Sequence, residues 1–307
     1  MSIPNKIVVI LGPTASGKTK LGVDLACKFD GEIVSADSRQ VYRHLDIGTA
    51  KPSGGMVALV PHHLFSIIDP DESFSLAEYQ MLAYQSVADI QEHNHLPLLV
   101  GGSGQYVWAV LEGWQIPMVP PDTAYRHELE MAAENDKDSL YRKLLEIAPE
   151  AGAKIDRRNV RRVIRALEVH QNPEMNPVNK PRRKETPFKT IIIGLTAPRA
   201  ELYHRIDQRV ERMVADGLVE EVARLMKMGY QGQLPALSGI GYRQIIQHLT
   251  GEVSLPVAIQ QIKSDTHRYV RQQYNWFRLQ DERIRWFNIC EKPENAIEEL
   301  VDRFLEE

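Results

Sequence analysis

Apolar and polar positions follow two different patterns along the chain. Residues 6–11, KIVVIL, form a continuous β-branched apolar run, which predicts a buried strand. Residues 17–29 place Leu21, Leu25 and Ala26 on one side of a helix. Residues 32–36, EIVSA, predict a second short strand that ends at Asp37. Residues 75–92 predict a helix opened by a capping serine, Ser75, with Glu78 three positions later. Residues 97–102, PLLVGG, and 190–195, TIIIGL, supply a third and a fourth strand. Strands alternating with helices over short connections imply a parallel sheet with helices on both faces.

The middle of the chain differs. Residues 117–171 carry helical patterns and no strand, and Pro117, Pro120 and Pro121 mark where they start. Residues 172–187 are rich in Pro, Asn, Lys and Arg and predict an exposed loop. The expected organisation is an α/β core begun by residues 1–116 and interrupted by a helical insertion over 117–187. Residues 188–307 then return to the core through a strand near 190–196 and continue as helices. With 307 residues, 43% apolar and 25% charged, the composition is that of a soluble globular protein with ample core. No apolar run approaches the ~20 residues of a membrane span, and the N-terminus lacks a signal-peptide pattern. Two cysteines, Cys27 and Cys290, build neither a disulfide framework nor a cysteine-rich zinc site. A cytoplasmic protein is the simplest expectation. The net charge of −4 does not mark a nucleic-acid binder, but basic residues cluster over 157–189 and 263–285.

Between the first strand and the first helix lies Gly12-Pro13-Thr14-Ala15-Ser16-Gly17-Lys18-Thr19, which fits G-x-x-x-x-G-K-[ST]. Backbone N–H groups of such a loop surround a phosphate at a helix N-terminus. Lys18 neutralises outer phosphate charge, and Thr19 coordinates Mg²⁺. A nucleotide-hydrolysing version of the loop usually has a neighbouring apolar strand ending in a magnesium-binding Asp; here the best such strand ends in Gly101-Gly102. Asp37, at the carboxyl end of the second strand, is placed either to accept a proton from a nucleophile in the same crevice or simply to close a turn. Ser38 and Gln40 beside it can read a polar substrate edge. Arg158, Arg161, Arg162 and Arg165 fall at i, i+3, i+4 and i+7, opposite Val160, Val163, Ile164 and Leu167. Four arginines without an acid in the stripe point to phosphate. Arg268, Arg271, Asn275 and Arg278 follow the same spacing farther on.

Blocks spread over nearly the whole chain resemble the tRNA dimethylallyltransferases, or tRNA isopentenyltransferases. They are GPTASGKT (12–19), SADSRQVYRHLDIGTAKP (35–52), HHLFSIIDPDESFSLAEY (62–79), LLVGGSGQY (98–106), RRVIRALEV (161–169), RIDQRVERM (205–213), SGIGYRQ (238–244) and RYVRQQYNWFR (268–278). Their order is specific, the long block from Ser35 above all. The resemblance implies a P-loop NTPase-like parallel sheet with a helical insertion that grips the anticodon stem-loop. It implies that the loop holds the diphosphate of dimethylallyl diphosphate, with Mg²⁺. The acceptor is then the exocyclic N6 of the adenosine immediately 3′ of the tRNA anticodon, and the products are N6-isopentenyladenosine and diphosphate. Asp37 becomes the general base, Thr14 a hydrogen-bonding residue at the reacting diphosphate, and Arg209 a second diphosphate clamp, with Arg205 as the alternative. Residues implied near tRNA are Asp37, Ser38, Arg39, Gln40, Ser103, Arg126, Arg161, Arg162, Val163, Ile164, Arg165, Ser238, Gly239, Ile240, Gly241, Tyr242, Arg243, Arg271 and Arg278. A monomer without membrane association is expected.

There are departures. Ser103 stands where the family usually has Thr, and Gln105 where it has Leu. In Arg271-Gln272-Gln273-Tyr274-Asn275-Trp276 one positive charge of the usual motif is lost. With only Cys290 in the C-terminal region, the zinc finger of eukaryotic relatives is not expected. Three other readings share some of these features: an adenylate isopentenyltransferase, which needs no RNA-gripping insertion; a small-molecule kinase using the loop for ATP and Asp37 as base; and a non-catalytic RNA-binding module.

Overall fold

The run KIVVIL is buried at all six positions because it is an inner strand, covered on both faces and paired on both edges. In the computed structural model, which describes residues 5–120, 122–136, 138–172 and 188–307, this strand is β1 (Lys6–Leu11). With β2 (Gly31–Ala36), β3 (His62–His63), β4 (Leu96–Gly101), β5 (Lys189–Thr196) and β6 (Ile284–Asn288) it forms one sheet in the order β3-β2-β4-β1-β5-β6. Every pairing is parallel. The loop segment expected at 172–187 lies outside the described residues from 173 onward, as does Pro121.

The chain divides into two compact units, Met1–Leu111 with Thr186–Glu307, and Glu112–Glu185. The first holds the sheet with α1 (Lys18–Lys28), α2 (Gly54–Leu59), α3 (Leu76–Glu92) and α4 (Gly104–Leu111). Its counterpart helices in the second unit are α5 (Thr123–Asn135), α6 (Ser139–Ile147), α7 (Pro149–Gly152) and α8 (Val160–Gln171). The chain then returns to the first unit with α9 (Arg199–Ala215), α10 (Leu218–Lys227), α11 (Tyr242–Leu249), α12 (Leu255–Trp276) and α13 (Glu294–Glu306). Ser75 caps α3 as expected: its side chain accepts from the Glu78 amide, and Glu78 accepts from the Ser75 amide. No described helix is long and apolar enough to cross a membrane.

Val8, Ile10, Ile33, Leu98, Ile193 and Leu195 of the sheet pack with Leu21 and Leu25 of α1 and with Ile297, Val301 and Phe304 of α13. The last strand, β6, has no continuous apolar run: IRWFN is an edge strand with one buried residue, so burial leaves little pattern in its sequence. The second unit has its own core, in which Leu129, Leu140, Leu144, Val163, Ile164 and Leu167 meet.

One buried carboxylate organises the connection after β2. Glu221 of α10, 1% exposed, accepts from the amides of Asp46 (3.1 Å), Ile47 (2.8 Å) and Gly48 (3.2 Å) and from the Tyr242 hydroxyl (2.7 Å). Gly48 is glycine because a Cβ there would lie 2.5 Å from the Tyr242 ring. Glu221→Ala removes the acceptor of three amides and of the Tyr242 hydroxyl. We expect it to lower stability by about 2–4 kcal/mol, read as a shifted denaturation midpoint; an unchanged midpoint would show that water replaces the carboxylate at no cost.

Candidate active site

The glycine loop joins β1 to α1, and its backbone dictates its residues. Gly12 sits at φ 144°, and a Cβ there would lie 2.4 Å from the Leu195 carbonyl of β5. Gly17 sits at φ 84° with open space around it, so conformation alone requires glycine there. It is also the N-cap of α1 and offers no side-chain cap, which leaves the first N–H groups of the helix for an anion. Ser16 Oγ is buried in the loop without a hydrogen-bond partner among the described residues. Lys18 Nζ donates to the Pro13 carbonyl at 2.7 Å. Burial, reinforced by the Arg209 charge and opposed by Asp37, lowers the Lys18 amine to a pKa of about 7.

Two cavities meet at this loop. An open groove of about 1630 Å³ is lined by Gly17, Lys18 and Thr19 and by one flank of α9. A smaller and more enclosed cavity of about 300 Å³ is lined by Thr14, Asp37, Ser38 and Arg39, by Ile206, Val210 and Met213 of α9, and by Ile262, Thr266 and Tyr269 of α12. Arg209 borders both. Its guanidinium donates to Thr14 Oγ1 at 3.4 Å, and burial pulls its pKa below the ordinary value while Asp37 pushes it back up. Arg205 instead pairs with Glu201 at 2.6 Å on the groove side. Between the two arginines, the structure brings Arg209 to Thr14.

Asp37 follows β2, but β2 is not next to β1; β4 lies between them. Asp37 Oδ1 accepts from the Arg39 amide at 2.9 Å, so it closes a turn and also lines the enclosed cavity. The intervening turn after β4 ties the two sides together. Ser103 Oγ accepts from the Ser38 amide at 3.0 Å, and the Ser103 amide donates to the Ala36 carbonyl at 3.1 Å. Tyr269 stands near Ser103 and Asp37, and burial raises its phenol to a pKa of about 12. Gln273 of α12 had drawn attention only as part of a basic motif. Its Oε1 accepts from the Thr14 amide at 2.9 Å, and its Nε2 donates to the Gly102 carbonyl at 3.0 Å. A single glutamine in a helix carries no sequence signal for such a bridge.

Other residues implied by the resemblance separate by what they touch. Arg39 donates to the Pro235 carbonyl (2.6 Å), and Ser238, Gly239, Ile240, Gly241 and Tyr242 line the enclosed cavity. The Tyr242 hydroxyl is engaged by Glu221, which makes this residue a structural one. Gln40 Nε2 donates to the Thr49 and Ala50 carbonyls, holding the chain rather than facing the cavity. Arg243 pairs with Asp265 at 2.8 Å on a different groove. Arg271 donates to Tyr203 Oη at 2.8 Å, and it lines with Arg199 and Arg278 a separate cleft of about 410 Å³.

In the second unit the arginine stripe needs correcting. Arg158 precedes the helix and pairs with Asp156. Arg165 pairs with Glu168 (3.4 Å), the acid one turn further on, which also accepts from Arg126 at 2.5 and 2.8 Å. Burial alone would raise the Glu168 carboxyl, but Arg126 and Arg165 hold it below its ordinary value. Arg126 therefore anchors α5 to α8. Val163 and Ile164, 1% and 4% exposed, belong to the core of this unit, as their place opposite the stripe predicts, so their side chains do not present the surface that the resemblance implied for them. Arg161 and Arg162 remain exposed and without a side-chain partner among the described residues.

A family model described as IPP transferase matches residues 40–280, and one described as isopentenyl transferase matches residues 5–58. The chain is 46% identical over 300 residues to a tRNA dimethylallyltransferase of Dehalococcoides mccartyi, covering 97% of this chain and 92% of that one. It is 51% identical over 276 residues to one of Chloroflexus aggregans, covering 89% and 93%. Among solved structures, the tRNA isopentenylpyrophosphate transferase of Bacillus halodurans superposes with a TM-score of 0.73 at 40% identity, over 98% of this chain and 97% of that one. A eukaryotic dimethylallyltransferase, at 24% identity and a TM-score of 0.81, shares the fold, with 97% of this chain and 78% of that one covered.

The Lys18 pKa has a measurable consequence. With the free amine half-neutral near pH 7, binding inorganic diphosphate in the presence of a chelator restores its proton. Affinity should therefore fall as pH rises above 7, by up to tenfold per unit. Lys18→Arg, charged throughout, should flatten that decline in calorimetric titrations; identical profiles between pH 6 and 9 would refute the assignment.

Proposed function

The chain belongs to the IPP transferase family, and we propose that it transfers the dimethylallyl group of dimethylallyl diphosphate to N6 of the adenosine immediately 3′ of the tRNA anticodon. The observation that carries this reading is the junction of the two cavities. Lys18 and Thr19 face the open groove, Asp37 lines the enclosed one, and Thr14 with Arg209 stands where they meet. A diphosphate held from the groove side thus leaves its allylic carbon directed toward the cavity that Asp37 borders.

The residues divide the chemistry. The α1 N-terminus, the loop amides and Lys18 hold the diphosphate and favour the charge that grows on it as the allylic C–O bond breaks. Arg209 and the Thr14 hydroxyl donate at the bridging end. The N6 lone pair forms the new C–N bond, the C–O electron pair leaves with diphosphate, and the N6 proton passes to Asp37. Ile206, Val210, Met213 and Ile262 give the five-carbon chain an apolar wall that keeps water from the allylic cation. The base must leave the anticodon-loop stack to reach Asp37. Ser38, Ser103 and the 238–241 segment are the groups available to meet it.

Mg²⁺ fits the donor set. No three described His, Cys, Asp or Glu residues form a metal cluster, and Thr19 offers one hydroxyl beside the loop. That suits a hard cation that takes most of its oxygen ligands from diphosphate and water. When bound, it would neutralise the leaving group. The helical unit is the proposed grip on the anticodon stem-loop, with Arg161 and Arg162 as its free phosphate contacts and Arg271 and Arg278 as further candidates.

The decisive test is mass spectrometry of nucleosides after incubating unmodified tRNA with the protein, Mg²⁺ and dimethylallyl diphosphate, beside parallel reactions with AMP or with ATP alone. Prenylated adenosine from tRNA alone is expected; product from AMP alone, or ATP consumption without prenyl transfer, would replace the reading. Asp37→Ala should retain tRNA binding and lose about 10²–10⁴-fold in rate, and a rate within threefold of wild type removes Asp37 as base. Neutralising Arg161 and Arg162 together should weaken tRNA binding and reduce its log–log salt slope by about two; an unchanged slope rules out phosphate contact there.

A further inference from the structure

Gln273 touches neither cavity, yet it is only 3% exposed and both ends of its amide are engaged. Its carbonyl oxygen accepts from Thr14 on the glycine loop, and its amide nitrogen donates to Gly102 on the turn after β4. A side chain that both accepts and donates at this length is a glutamine's particular capacity. The next residue, Ser103, accepts from the Ser38 amide, adjacent to Asp37. On its far side Thr14 receives Arg209. An unbroken series of hydrogen bonds therefore runs from Arg209 through Thr14, Gln273 and the Gly102–Ser103 turn to the residue after Asp37.

Gly102 supports the same conclusion. Its backbone is not in the left-handed region, so conformation does not demand glycine. A Cβ there would lie 2.6 Å from Gln273 Nε2. Two positions on, a Cβ at Gly104 would lie 2.2 Å from the ring of Trp276, three residues after Gln273 on α12. The turn after β4 is stripped of side chains where α12 docks, and at Gly102 the group accommodated is the glutamine amide.

The geometry points to Gln273 as a positioning residue for prenyl transfer, one that fixes the separation between the leaving-group loop and the Asp37 turn without contacting either substrate. The inference rests on the function proposed above. Capture of the allylic carbon by N6 depends on the nucleophile and the leaving group being held at a set separation, and a displacement of about 1 Å can cost 10²-fold in rate. If the glutamine served stability alone, replacing it would lower the melting temperature and leave the reaction parameters of the folded protein unchanged.

The test compares wild type with Gln273→Met, Gln273→Ala, Gly102→Ala and the Gly102→Ala/Gln273→Ala pair, with kcat and KM for transfer to tRNA and separate binding titrations with inorganic diphosphate and tRNA. Gln273→Met should reduce kcat at least thirtyfold and keep both binding constants within threefold of wild type. Gly102→Ala should reduce kcat by displacing the amide, and the double variant should be no slower than Gln273→Ala, because the group displaced is already gone. Should the methionine variant fail to fold, Gln273→Glu serves instead: it keeps the size and the bond to Thr14, cannot donate to Gly102 when ionised, and should lose kcat likewise. A kcat within threefold of wild type in the folded variants, or losses that multiply in the double variant, overturns the proposal. A wild-type chain that prenylates no tRNA overturns the functional reading together with this proposal, whereas active wild type with equally active Gln273 variants overturns only this one.

Discussion

Because β4 lies between β1 and β2, the glycine loop and the turn that carries Asp37 start two strand spacings apart, roughly 10 Å at the usual separation of about 4.8 Å. The rest of the first unit is arranged around that gap. In the proposed reaction it is the space that the allylic carbon, its leaving oxygen and the attacking nitrogen share. Asp37 and Thr14 of the loop border one cavity across it. The strand that creates the gap ends in Gly101-Gly102 and so leaves it open. Where a nucleotide-hydrolysing enzyme would carry a metal-binding carboxylate beside the loop, this chain admits a glutamine amide from a distant helix.

Holding an open gap to a fixed width requires support from outside it. Glu221 supplies this for the 46–48 segment by gathering three consecutive amides around one carboxylate. Lys51 does the same a few residues later, donating to the Tyr42 carbonyl, Ser66 Oγ and Asp46 Oδ1. Much of the long block from Ser35 to Pro52 thus has an architectural part: Gln40, Gly48, Thr49 and Lys51 build the wall in which Asp37 and Ser38 sit. Glu168 has the equivalent place in the helical unit, joining Arg126 and Arg165.

What could be read from the sequence follows from how burial writes itself into residue types. Strands covered on both faces, β1, β4 and β5, appear as apolar runs and were legible. The edge strand β6 is half wet and was not. The glycine loop was legible because its conformation admits few residues. Asp37 was legible by its place after a strand, although not the strand that separates it from the loop. The arginine stripe was only partly legible: periodicity separated it correctly from the inward face of Val163 and Ile164, but a buried acid one turn further on had already claimed Arg165. Gln273 was illegible, since a lone polar residue in a helix reads as surface until the partner loops are placed around it.

The 22-residue helix α12 carries, in succession, cavity-lining Ile262, Thr266 and Tyr269, the loop-bridging Gln273 and the docking residue Trp276. Each lies three or four positions from the next, so all share one side. Insertion of a single amino acid between Tyr269 and Gln273 would leave the helix intact yet turn everything beyond it by about 100°. The site therefore depends on the phase of this helix as well as on its composition. Lengthening it by a residue would be more disruptive than many substitutions along its outer side.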